Sequence, residues 1–457
     1  MSNVKNFGAV GDGQTDDTAS IRHALEAGDG LLEFPRGRYR ITETIEVPLD
    51  RYDRIGIDGS RGTATVIMDG SGPAFRLIGT HGGTGDPNSV LPAVWMRQRM
   101  PTVSNIEVTA QNPEADGFEL IGTMQSIFEG VLIRQVRHGI RLHKRNRNVL
   151  INDSHIYHNT GVGVFLDEVN LHQINITGNH ISYNRLGGIR IAGSEVRNLQ
   201  ITGNDIEYNN HRQFDTPPEP TAEIYIDTTA EGSSVAEVAV SGNTIQATSS
   251  PGGANIRIVN AVGEQRPPGL WTVTGNIIGS QENNVHLTGC YGVVISGNFI
   301  YSGGLRNVLL EQCREVTLTG NSFRRHTPRA HTGVRIVESS DCVLSGCTIQ
   351  DESEAGQQTG ASLLEIEACR RINVQGCQML NGVPYGIDVR RGSEVNITGC
   401  TVVDTREAIR SESAIRFRGA GAQNLISACT IGKTQGPAIN LEQASGVKVG
   451  EVVGTGV

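Results

Sequence analysis

The sequence predicts an all-β fold: a single-stranded right-handed parallel β-helix, a solenoid with an N-terminal capping helix. Three observations predict it. A short phrase, apolar-x-apolar-x-Gly-Asn, returns along the chain at a basal step in the low twenties of residues. A second pattern, apolar-x-apolar, recurs thirteen times in step with it. The chain of 457 residues is longer than one ordinary globular core supports, whereas a solenoid needs contacts only between neighbouring repeats.

The phrase first appears as Ile174-Asn175-Ile176-Thr177-Gly178-Asn179. It returns at Gly203-Asn204, Gly242-Asn243, Gly275-Asn276, Gly297-Asn298 and Gly320-Asn321. Cysteine then takes the asparagine slot at Cys347, Cys377, Cys400 and, more weakly, Cys429. Alternating apolar residues make a strand with one buried face. Glycine permits the backbone corner that follows. An asparagine inside that corner can bond to the asparagine one rung on, which satisfies a buried amide. Cysteine fills the slot as a small buried hydrophobe. A second set, Cys290, Cys313, Cys342 and Cys369, follows other strands. All eight cysteines therefore occupy repeat positions and are expected as packed free thiols, not as zinc ligands.

The thirteen-fold pattern runs from Phe118-x-Leu120, Ile140-x-Leu142, Val164-x-Leu166, Ile189-x-Ile191 and Ile224-x-Ile226 to Ile439-x-Leu441. Each copy is one strand of a parallel sheet. The single domain 1–457 divides into a cap (1–50), first rungs (51–115) with an inserted loop at 79–102, and regular rungs (116–445).

Composition agrees and excludes other classes. There are 57 glycines, few aromatics and 19% charged residues, which suits short strands and tight turns. A net charge of −9 argues against nucleic acid as a partner. No apolar run is long enough to span a membrane. Met1 to Gly8 lacks the apolar core of a signal peptide, so the expected location is secreted or periplasmic if a leader was removed, and otherwise cytoplasmic. The C-terminal rungs fade without an evident capping helix, and an uncovered strand stack favours either a dimer or trimer or a short covering segment.

The first fifty residues carry a distinct pattern. Phe7-Gly8-Ala9-Val10-Gly11-Asp12-Gly13-Gln14-Thr15-Asp16-Asp17 precedes a short amphipathic helix with Ile21, Ala24 and Leu25 on one face. Phe34-Pro35-Arg36-Gly37-Arg38-Tyr39 follows. Asp12, Asp16 and Asp17 are expected to be structural: Asp16 or Thr15 caps the helix, and Asp17 favours its N-terminus. The arrangement resembles the N-terminal cap of the pectate-lyase-like β-helix superfamily, where such a turn, helix and strand close the open end of the solenoid. Polygalacturonases, exo-acting glucanases, alginate epimerase modules and phage tailspikes share that cap. The resemblance implies a polysaccharide or oligosaccharide as partner. It transfers no catalytic residue: the polygalacturonase set, the epimerase Asp-Pro-His and a pectate-lyase calcium cluster are all missing from this chain. Neither a metal nor a cofactor is expected.

Outward residues of stacked strands form columns with rungs ~4.8 Å apart. One window gathers reactive groups: Arg141, His143, Phe165, Asp167, Arg190, Tyr225, Asp227, Arg257 and His286, with Lys144 just after. Arginine forks suit carboxylate or sulfate groups, and the aromatic rings suit sugar faces. Asp167 and Asp227 share a column with Ala192 between, so their backbones stand ~9.6 Å apart. That spacing fits the carboxylate pair of an inverting glycosidase. Alternatively an arginine neutralises a uronate carboxylate while His143, Tyr225 or an arginine takes the C5 proton, as in a lyase or epimerase. A third reading is a non-catalytic glycan-binding or tailspike-like protein. Loop 79–102, with Trp95, and loop 209–222, with Asp215 and Glu219, are expected to wall the cleft, with subunit packing an equal alternative for the first.

Overall fold

The computed structural model of the chain describes residues 2–210, 220–261, 269–325, 333–354 and 360–454. The repeated phrase folds as its alternation dictates. In Ile140–Asn152 and Val162–Thr177, the side chains of Ile140, Leu142, Val164 and Leu166 are fully buried and those between them face outward. Each turn of chain supplies three strand segments, as in Gly187–Ala192, Glu195–Thr202 and Asp205–Glu207. Each segment pairs in parallel with its counterpart one turn on, which builds a first, a second and a third face.

The chain divides into two compact units, residues 1–217 with 221–239, and residues 218–220 with 240–457. The first unit begins with the cap. Helix Thr18–Ala27 buries Ile21, Ala24 and Leu25. Asp17 accepts bonds from the Val10 and Gly11 amides (2.7 and 3.0 Å), and Asp16 accepts from the Thr18 amide (3.1 Å). Asp12 accepts from the amides of Gln14 and Thr15. All three acids therefore tie down the turn before the helix.

The first face of this unit starts earlier than the thirteen-fold pattern indicated. Ile45–Pro48 and Gly72–Ile78 pair below Ala115–Met124, followed by Ile140–Asn152, Val162–Thr177, Gly187–Ala192 and Ala222–Thr228. Phe75 stacks on Phe118 at 5.5 Å inside it.

Polar ladders hold the inner corners. At the corner closing the second face, Gly178 and Gly203 adopt φ of 70° and 66°, a left-handed conformation glycine takes without penalty. The adjoining Asn179 is wholly buried. Its backbone N–H and Nδ2 donate to Asn204 Oδ1, both at 3.0 Å. A second ladder at the next corner runs Asn159, Asn184, Asn209. It ends on Glu223, which accepts from the Asn209 amide at 2.9 Å. Burial pushes the Glu223 carboxyl up to about 8.

The second unit repeats the scheme from Ala254–Asn260 to Ile439–Asn440. Its asparagine ladder, Asn243, Asn276, Asn298 and Asn321, passes to cysteines through the Asn321 Nδ2 contact to Cys347. All eight cysteines are buried and free. Cys342 departs from the expected second column: it sits inside the second-face strand Ser340–Ser345, beside Ile372, while Ser339 takes the corner position between Cys313 and Cys369. The outer face is laced by ion pairs, including Arg306–Glu365 and Arg416–Asp388 (2.9 and 2.8 Å).

Candidate functional site

Two outward columns lie side by side on the first face of the first unit. One reads Glu46, Arg76, Glu119, Arg141, Phe165, Arg190, Tyr225. The next contains His143, Asp167, Ala192 and Asp227 in consecutive rungs. The lower part of the first column is self-neutralised. Arg76 bonds Glu46 and Glu119, and Arg141 bonds Glu119 at 3.1 Å. Arg141 also reaches across to Asp167, with Nε donating to Oδ2 at 2.8 Å. Its fork, expected to meet substrate, is thus occupied within the protein.

The upper part differs. The Arg190 guanidinium lies over the rings of Phe165 and Tyr225, 5.9 and 5.2 Å from their centroids. Among the described residues it forms no ion pair, and its Nε is buried without a hydrogen-bond partner. Aromatic rings favour the cation but do not neutralise it. Asp167 and Asp227 are both half-buried and face the same side. Asp167 Oδ1 takes no bond among the described residues. Among the described residues Asp227 accepts only from its own turn, the Thr229 amide and hydroxyl (3.0 and 2.7 Å). His143 Nδ1 lies 2.8 Å from the Asp167 carbonyl oxygen and so donates to it, which leaves Nε2 as the imidazole's free acceptor. Lys144 is exposed at a bulge with φ of 60°.

Other expected site residues stand elsewhere. Arg257 and His286 belong to the second unit, where they are paired in register. Arg257 donates to the Gly252 carbonyl at 2.7 Å, and His286 Nε2 meets Glu311 at 2.7 Å. Asp215 and Glu219 lie outside the described residues. Trp95 packs against Val90, Val94 and Met124, so its ring anchors the inserted loop.

That loop is strapped over the corner between the first and second faces. Arg147 donates to the Thr84 carbonyl at 2.7 Å, and Thr80 donates to Gln98. His81 is buried beside Arg145. Burial and the Arg145 and Arg147 guanidinium groups push its imidazole down to about 4. The loop's Met100 then lines a groove of about 520 Å³ on the second face, with Gln125, Ile127, Asn148, Leu150 and Gln173 among its walls. The loop expected to wall the first-face cleft thus also borders a groove on the second face. This groove was not among the surfaces expected from the sequence. Its signal was present: Gln125, Asn148, Gln173 and Asn198 each stand two residues before the column of Ile127, Leu150, Asn175 and Gln200, at steps of 23 to 25 residues. Among the described residues no group of three or more His, Cys, Asp or Glu side chains is arranged to hold a metal ion, and no helix is long and apolar enough to cross a membrane.

Stacked parallel rungs that display their side chains as columns define a parallel β-helix protein with ladder-like outer surfaces. The chain belongs to the family described as right handed beta helix region, which it matches over residues 88–206 and 256–431. It is 36% identical over 84 residues to mannuronan C5-epimerase AlgE6 of Azotobacter vinelandii, covering 17% of this chain and 10% of that protein. It is 50% identical over 44 residues to alginate lyase 7 of the same organism, covering 9% and 5%. The chain spans a tenth or less of the length of these curated relatives. Among solved structures, a mutant tailspike protein of E. coli bacteriophage HK620 in complex with hexasaccharide matches with a TM-score of 0.53 at 11% identity, over 98% of this chain and 80% of that one. At that identity the likeness is one of fold.

Proposed function

We propose that the protein is a carbohydrate-active enzyme that binds an acidic polysaccharide along the first face of the first unit and cleaves its glycosidic bonds with Asp167 and Asp227. One observation carries the reading. Arg190, held between Phe165 and Tyr225 without a carboxylate partner among the described residues, stands beside a column in which the two aspartates flank a small alanine. Arg190 receives an acidic group of the sugar, and the two rings offer it flat contact surfaces. The space over Ala192 admits the scissile linkage and a water. One aspartate acts as acid and the other as base, as in inverting hydrolysis. The short matches to an epimerase and a lyase support a carbohydrate polymer as the substrate class.

A second reading has its own observation. His143 is fixed as the Nδ1–H tautomer, and its free Nε2 suits the abstraction of a proton from a uronate, as a lyase or epimerase requires. Incubation with uronate-rich and sulfated polysaccharides decides between them. Hydrolysis releases reducing ends without ultraviolet absorbance, and Asp227→Asn or Asp167→Asn lowers that release by about 10²-fold or more. Unsaturated products, lost in His143→Ala, select the lyase. Reducing ends unaffected by either aspartate change refute the carboxylate pair.

A further inference from the structure

The groove on the second face has a chemistry unlike the first face. No ionisable side chain lines it. Its walls carry two adjacent amide columns. Gln125, Asn148, Gln173 and Asn198 share one position of the repeat, all with positive φ (56°, 53°, 69° and 55°), and Asn175 and Gln200 continue the column begun by Ile127 and Leu150. Elsewhere in the protein stacked amides bond to one another, as Asn179 does to Asn204 and as the outward-facing Asn396 does to Asn373 (3.0 Å). Here they do not. Among the described residues the side chains of Gln125, Asn148, Gln173, Asn175 and Gln200 make no hydrogen bond, and Asn148 Oδ1 is buried with none. Met100, 57% exposed, and Leu150, 39% exposed, add apolar surface to the same groove.

We propose that this groove is a binding site for an uncharged glycan chain running along the stack. Each amide offers both a donor and an acceptor, the pairing that sugar hydroxyl groups need. The columns repeat at the rung spacing of ~4.8 Å, so successive amides meet successive sugar units. Met100, Ile127 and Leu150 meet the C–H faces of the rings. A uronate or sulfate in this groove would lose water and find no counter-charge, which selects for neutral sugars. The inference does not rest on catalysis at the first face: the groove binds whether or not Asp167 and Asp227 react.

Affinity electrophoresis of the full chain through gels containing a neutral β-glucan, a mannan, a galactan, dextran or alginate tests it. At least one neutral polysaccharide is expected to retard the protein. The double variant Asn148→Gly/Gln173→Gly is expected to weaken that retardation by about ten-fold. Both positions have positive φ (53° and 69°), so glycine removes the side chains without backbone strain, and an unchanged melting temperature confirms folding. Gln173→Glu keeps the shape, replaces the amide donor with a charge, and is expected to weaken binding as well. Asp167→Asn is expected to abolish any reaction while leaving retardation intact, which separates the two sites. Retardation by none of the neutral chains, by alginate alone, or to the same extent in the folded glycine variant overturns the proposal.

Discussion

Within the first unit, one kind of side chain is used in two opposite ways. Asparagines 179 and 204 point into the coil and bond to one another. Asparagine 148 and glutamine 173 point out of it, one rung apart, and bond to nothing among the described residues. The inner amides sit where no water competes, so each must find its partner in the stack or leave an unsatisfied group. The outer amides face a groove that water or a ligand can fill. The inner ladder holds the fold together, and the outer ladder is free to recognise something else.

The end of the inner ladder gives the largest expected effect. Glu223 closes the Asn159–Asn184–Asn209 column and, with its carboxyl raised to about 8, is protonated in the folded protein through most of the range where it ionises unfolded. A folded-state pKa above the unfolded value means that the folded state holds the extra proton. Stability contributed by that proton is fully present below about pH 4.5 and is lost as pH rises toward 8, amounting to roughly 3 kcal/mol by neutral pH. Glu223→Gln should remove this slope and make the protein more stable at pH 8 than its parent, as measured by denaturant unfolding across pH. A parent that keeps constant stability from pH 5 to 8 breaks the account of the buried cap.

A smaller effect is expected one column away. Asn204→Ala leaves the Asn179 amide without its acceptor and should cost about 2 kcal/mol in the same assay. Smallest of all, Gln173→Gly on the outer ladder should shift stability by less than about 0.5 kcal/mol, since its side chain is exposed and unbonded. Equal losses at Asn204 and Gln173 would erase the distinction between the two ladders.

The inner ladder at Gly178-Asn179 was legible because its cause is local. A glycine that turns the chain and an asparagine that follows it recur at the rung step. The companion ladder at Asn159, Asn184 and Asn209 has the same step of 25 residues, but without an adjoining glycine to mark it. On the first face, the columns of Asp167, Ala192 and Asp227 and of Phe165, Arg190 and Tyr225 were readable from the period-2 alternation. That Arg141 spends its fork on Asp167 and Glu119 was not, because this depends on which of several neighbours a flexible side chain reaches. The role of Trp95 was hidden for a similar reason: an inserted loop carries no repeat, and it packs where Met124 gives it an apolar seat.

Sequence alone determined the strand alternation, the glycine-marked corners, the register of the first-face columns and the burial of the cysteines as free thiols. All of these follow from short-range sterics and burial repeated at a fixed step. Tertiary structure alone decided which outward charges neutralise each other, where loop 79–102 comes to rest, and that a row of amides on the second face borders an open groove in which, among the described residues, Gln125, Asn148, Gln173, Asn175 and Gln200 have no side-chain partner while Asn198 meets His172. Those outcomes depend on side chains from different turns meeting in space, and no local pattern encodes which of the possible meetings has the lowest free energy.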